Sequence, residues 1–101
     1  MTLKVRFTNK AKKRLKKIRN SDRHLFNAMT DAIANLAEDP SIGIPKSGDL
    51  KGYSGLDVYH RGINFEIAYT VEFDEETDEL VIILLGPREN FYKDLKIHLG
   101  L

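Results

Sequence analysis

At 101 residues, with 42% hydrophobic and 31% charged side chains, the chain has the balance of one soluble globular domain and is too apolar for intrinsic disorder. Having no cysteine, it excludes disulfides, thiol chemistry and cysteine-based zinc sites, and fits a reducing cytoplasm. The net charge of +1 hides a separation: residues 1–23 carry ten lysines and arginines against Asp22 alone, and residues 66–79 carry seven acids and no base. The basic end suits a polyanion, which the acidic segment would repel. A solvated helix face and a solvated hairpin tip explain the same charges. The basic N-terminus lacks the apolar core of a secretory signal and no apolar run approaches membrane-spanning length, so a cytoplasmic protein is expected.

Leu3-Lys4-Val5-Arg6-Phe7 alternates apolar and charged residues as a half-buried strand does. Thr8 or Asn9 can cap the next helix, in which Ala11, Leu15 and Ile18 mark a narrow apolar stripe on a very basic surface. After the break Asn20-Ser21-Asp22, a broader stripe of Leu25, Met29, Ala32, Ile33 and Leu36 predicts a second helix, ended before Pro40. So short a link predicts an antiparallel helical hairpin lying on a sheet.

Residues 40–55 are rich in turn formers and read as an ordered loop bearing Lys46 and Lys51, anchored by Leu50 and Tyr53. Strands are expected at Leu56–Ile63, irregular near Arg61-Gly62, and at Asn64–Phe73, with a hairpin loop at Asp74–Asp78. Leu80–Leu85 is a continuous apolar run, typical of a strand covered on both faces, and Gly86-Pro87 is expected to stop it. Phe91, Leu95 and Leu99 then lie on one face of a last helix over Glu89–Leu99. This places the polar residues Arg88, Glu89, Asn90 and Tyr92 at the end of a buried strand, a rigid mount for chemistry. His24, His60 and His98 do not cluster along the chain and read as structural or exposed. The order β-α-α-β-β-β-α predicts an α+β domain over 1–101, its helices packed on a four-stranded, mostly antiparallel sheet.

With this order, the segments Asp49-Leu50-Lys51-Gly52-Tyr53, Asn64-Phe65-Glu66-Ile67-Ala68-Tyr69 and Gly86-Pro87-Arg88-Glu89-Asn90-Phe91-Tyr92 resemble the RelE/ParE superfamily of bacterial toxins from type II toxin–antitoxin systems. The resemblance covers nearly the whole chain. It implies a microbial RNase-like fold and a cognate antitoxin protein as partner. The RelE-like branch cleaves mRNA on the ribosome without a metal or other cofactor, the RNA's own 2′-OH attacking the adjacent phosphate. The ParE-like branch inhibits DNA gyrase without catalysis.

On the nuclease reading, the resemblance implies that Arg88 holds the phosphate, here with Arg61 of the neighbouring strand as a second candidate, and that Lys51 and Lys46 dock the RNA backbone. Tyr92 stacks or donates a proton, and Lys13, Lys16 and Lys17 of the basic helix meet ribosomal RNA. One departure stands out: Glu66 occupies the third-strand position where the superfamily usually has a transition-state arginine. Either Glu66 is the general base and Arg61 supplies the charge, or the nuclease site is lost and the protein acts as a gyrase inhibitor or only binds its antitoxin.

Overall fold

One side chain ends the first strand and begins the first helix. In the computed structural model, which describes residues 2–101, strand β1 (Lys4–Phe7) runs into Thr8, whose hydroxyl accepts a hydrogen bond from the Ala11 amide at 3.1 Å. Helix α1 (Asn9–Ser21) follows and is closed by the Asp22 amide donating to the Ile18 carbonyl. The Asp22 carboxylate then accepts from the Leu25 amide at 3.0 Å and starts helix α2 (Arg23–Glu38). The turn between the helices is therefore a single residue that satisfies one helix end with its backbone and the next with its side chain.

Strands β2 (Ile44–Pro45), β3 (Ser54–His60), β4 (Ile63–Phe73) and β5 (Asp78–Pro87) precede helix α3 (Phe91–Leu99). They form one sheet in the order β1-β5-β4-β3-β2, antiparallel except for the β1–β5 pair, which is parallel. The sheet thus has five strands, not the four expected. The extra strand, Ile44–Pro45, is too short to show an alternating pattern, and Pro45 is tolerated because the strand lies at the sheet's edge.

Strand β5 also runs on through Gly86 and Pro87, which were expected to stop it. Strand β1 pairs only with Glu79–Ile82, so the second half of β5 has no strand on that side, and α1 lies there instead. The Thr8 hydroxyl donates to the Ile83 carbonyl at 2.7 Å and Arg14 donates to the Leu85 carbonyl at 3.3 Å. Because the Arg88 amide bonds toward β4, to the Asn64 carbonyl, the nitrogen of Pro87 faces this free edge, where no ladder donor is needed. Helix α3 begins two residues later than expected, after Asn90 takes a left-handed conformation (φ 60°), which asparagine adopts more readily than most residues.

The two faces of the sheet are covered by different elements. Phe65, Ile67, Tyr69, Leu80, Ile82 and Leu85 pack against Ala11, Leu25, Met29, Ile33 and Leu36 of the helical hairpin. Ala68, Val81, Ile83 and Leu84 pack against Phe91, Leu95 and Leu50 on the other side. In β5, Ile83 and Leu84 are neighbours on the same face. The β4–β5 register slips between Ala68 and Tyr69, which pair with Leu84 and Ile82, leaving Ile83 as the extra residue of a bulge. Beyond the bulge the alternation is reversed, so Leu84 packs on the α3 side and Leu85 on the hairpin side, and Arg88 reaches Glu66.

Candidate active site

The hairpin between β3 and β4 turns on Arg61 and Gly62, both with positive φ (50° and 79°). Such a two-residue turn fixes the register of its strands. It pairs His60 with Ile63 and, three rungs on, Asp57 with Glu66. Both carboxyl groups thus lie on adjacent strands at the α3 side of the sheet.

Glu66 is the only charged residue among those described that is buried, at 2% exposure. The Tyr92 hydroxyl, from the first turn of α3, donates to its Oε2. Arg88, carried to this face by the β5 bulge, holds its Nε 3.7 Å from Oε1 while its side chain stays 61% exposed. Lys46 reaches in from the loop after β2, its ammonium 4.7 Å above the Tyr92 ring. Lys46, Glu66 and Tyr92 all meet at Gly55. A Cβ at that position would stand 2.9 Å from Lys46 Cε and 3.2 Å from both Glu66 Oε2 and the Tyr92 hydroxyl, so even a methyl group there would press on all three side chains.

Burial pushes the Glu66 carboxyl above the ordinary carboxylate range, and Asp57 adds to the rise, against the hydrogen bond from Tyr92 and the charge of Lys46. Tyr92 is driven well above the usual phenol value by burial and by the neighbouring carboxyl groups. It therefore stays a neutral hydrogen-bond donor at physiological pH. The site combines a carboxyl poised to exchange a proton, a phenol already bonded to it, and two cations at its rim. Among the described residues, no group of three or more metal-binding side chains gathers anywhere, and no helix is long and apolar enough to cross a membrane.

A family model for the ParE-like toxin of type II bacterial toxin–antitoxin systems matches residues 5–96. The chain belongs to this toxin family. Among solved structures it is similar to a YoeB/ParE toxin from Agrobacterium tumefaciens, at 19% identity and a TM-score of 0.70, over 85% of this chain and 99% of that one. It is similar to the RelBE2 toxin–antitoxin complex of Mycobacterium tuberculosis at 26% identity and a TM-score of 0.65, over 87% and 100% of the two chains. It is also similar to a mutant of the E. coli toxin RelE in the free state, at 16% identity and a TM-score of 0.67, over 97% and 94%. No curated protein matches. The fold is thus that of the RelE/ParE superfamily, and as a type II toxin the protein has a cognate antitoxin as its partner.

Of the residues singled out in the toxin's sequence, Lys46, Glu66, Arg88 and Tyr92 come together. Arg61 does not join them. It sits in the β3–β4 turn beside Asp22, whose carboxyl is held low chiefly by the Leu25 amide, with Arg61 and His60 adding to the effect. The turn carries Arg61 to the N-terminus of α2, so it does not supply the positive charge expected beside Glu66. Lys51 is exposed at the end of a short 3₁₀ turn. Its neighbour Gly52 accepts a hydrogen bond from Thr70, which lies four residues, or about 13 Å, along β4 from Glu66. Lys13, Lys16 and Lys17 lie on α1, on the hairpin side of the sheet.

The sequence reading overlooked Asp57 and Gly55. Asp57 carries a legible signal once Arg61-Gly62 is taken as a two-residue turn, because counting back from it puts Asp57 opposite Glu66. Gly55 carries none, since its role is the space it leaves.

Proposed function

We propose that this toxin is an mRNA endonuclease that acts on the ribosome, cleaving through attack of a ribose 2′-OH on the adjacent phosphate. The observation that carries this reading is Glu66, a buried carboxyl bonded to a phenol and flanked by Lys46 and Arg88. A surface that only binds a partner gains nothing from a carboxyl withdrawn from water beside a second carboxylate. That arrangement lowers stability and suits a group whose work is to take and return a proton.

In the proposed reaction, ionised Glu66 takes the 2′-OH proton as the 2′-oxygen bonds to phosphorus. Arg88 and Lys46 hold the charge gathering on the phosphorane. The bond from phosphorus to the 5′-oxygen breaks, Tyr92 gives that oxygen its proton, and Glu66 restores the proton to Tyr92 through the hydrogen bond already joining them. The products are a 2′,3′-cyclic phosphate and a 5′-hydroxyl, and the protein's proton count is unchanged. Stacking of a base on Tyr92 has less room, because Lys46 lies over one face of the ring and Phe91 meets it edge-on. Lys51, Lys13, Lys16 and Lys17 act at a distance, as salt-sensitive docking charge for RNA.

The toxin is expressed without its antitoxin, and mRNA from those cells is mapped by primer extension. Cuts inside translated codons are expected, with Glu66→Gln and Tyr92→Phe reducing them by about 10²–10⁴-fold. Intact mRNA together with a DNA-damage response would overturn the nuclease reading. It would favour a second one, a gyrase inhibitor without catalysis. That reading draws on Glu66 standing where an arginine is usual and on Arg61 being turned toward Asp22. Inhibition of gyrase supercoiling by the purified toxin tests it directly.

A further inference from the structure

Strand β2 is two residues long, and Ser41, Ile42, Ile44 and Pro45 around it are exposed, so neither backbone pairing nor apolar burial holds this loop firmly. Yet the loop delivers Lys46 to the cluster. What fastens it is the Tyr69 side chain, which belongs to the buried face of β4 on the helical side. Its hydroxyl donates to the Pro40 carbonyl at 2.5 Å and accepts from the Gly43 amide at 3.1 Å, closing the loop base around one oxygen. The fit leaves no slack, because a Cβ at Gly43 would lie 2.2 Å from that oxygen. From Gly43 the chain passes through Ile44, paired with Gly55, to Lys46, whose amide donates to the Tyr53 carbonyl at 2.9 Å.

We propose that Tyr69 is a positioning residue for the site: its hydroxyl holds the Pro40–Lys46 loop so that Lys46 stands over Tyr92 beside Glu66. It touches no reacting atom and acts through Lys46 alone. The catalytic part of the proposal rests on the nuclease reading, whereas the loop part does not. Tyr69→Phe keeps the ring in the core and removes only the oxygen that Pro40 and Gly43 share.

The test has two arms, both run at a temperature where thermal melting shows the variant folded. In the first, amide hydrogen exchange is compared between wild type and Tyr69→Phe. Exchange at Gly43 and Lys46 should accelerate at least tenfold while β5 amides stay protected. Unchanged exchange at those amides overturns the proposal. In the second, cleavage of mRNA on translating ribosomes is measured for the wild type, Tyr69→Phe, Lys46→Ala and the double variant. Tyr69→Phe should lower kcat with little change in KM, as Lys46→Ala does, and the double variant should be no worse than Lys46→Ala. Losses that multiply, or a rise in KM alone, overturn the action through Lys46. If the wild-type toxin cleaves no RNA, the nuclease reading fails and the exchange arm still decides whether Tyr69 holds the loop.

Discussion

The same strands carry two unlike faces. Toward the hairpin, the sheet buries large apolar side chains against α1 and α2, and the polar groups at that boundary serve as caps and edge seals, as Thr8, Arg14 and Asp22 do. Toward α3 the apolar cluster is smaller and stops at Ala68, beyond which Glu66, Lys46 and Tyr92 meet at Gly55, with Asp57 opposite Glu66 and Arg88 beside it. One face is optimised for stability, while the other keeps a carboxyl out of water next to a like charge. This contrast supports placing the proposed site on the α3 side.

The largest expected effect is on the hairpin face. Leu36→Ala removes a fully buried side chain and should lower stability by about 2–5 kcal/mol in urea titration, with cleavage per folded molecule unchanged. If that variant loses activity while folded, the two faces are not separable as described. Next comes Gly55→Val, which forces Lys46, Glu66 and Tyr92 apart. It should abolish toxicity while costing only about 1–3 kcal/mol. A toxic Gly55→Val variant would show that the cluster is not the working site.

Tyr92→Phe strips the donor from buried Glu66 and should cost about 1–3 kcal/mol near neutral pH. The same carboxyl gives a pH signature. Its value in the folded chain lies above the unfolded value of about 4.3, so the folded state binds the proton more tightly. Glu66 therefore costs stability in full above its folded pKa, and that cost is removed as pH falls through it toward about 4.3. Asp22 and Asp39, with lowered carboxyls, act oppositely and lose stability at lower pH. The Tm difference between wild type and Glu66→Gln isolates the glutamate: it should move in favour of wild type as pH falls from neutrality toward the unfolded value of about 4.3. A difference that stays flat would mean that Glu66 is not perturbed. The smallest effect is Arg6→Ala, which breaks exposed ion pairs with Glu72 and Glu79 and should cost under about 1 kcal/mol by thermal melting.

Elements with a local signature were legible. The stripe Leu25, Met29, Ile33 and Leu36 has helical period, and all four side chains are buried on α2. The alternation of β4 from Phe65 to Val71 matches its facing toward the hairpin. The apolar run Leu80–Leu85 was read as a strand covered on both sides, and it is one. That same run conceals the bulge at Ile83, because a stretch with no polar residue shows no break in alternation when the phase slips. Yet the slip is what turns Arg88 toward Glu66. Likewise, no feature near Arg61 announces that it will lie near Asp22, thirty-nine residues earlier in the chain.

By itself, then, the amino-acid order of this toxin determined which segments become strands and helices, their succession and the superfamily they resemble, since propensity, period and caps act between near neighbours. Only the tertiary structure decided that Glu66 is buried, that Asp57 stands across from it, that Arg88 joins them and that Arg61 leaves. Those outcomes depend on register, on one extra residue in β5 and on the empty space at Gly55. They are properties of chain segments meeting across the sheet, which local pattern does not encode.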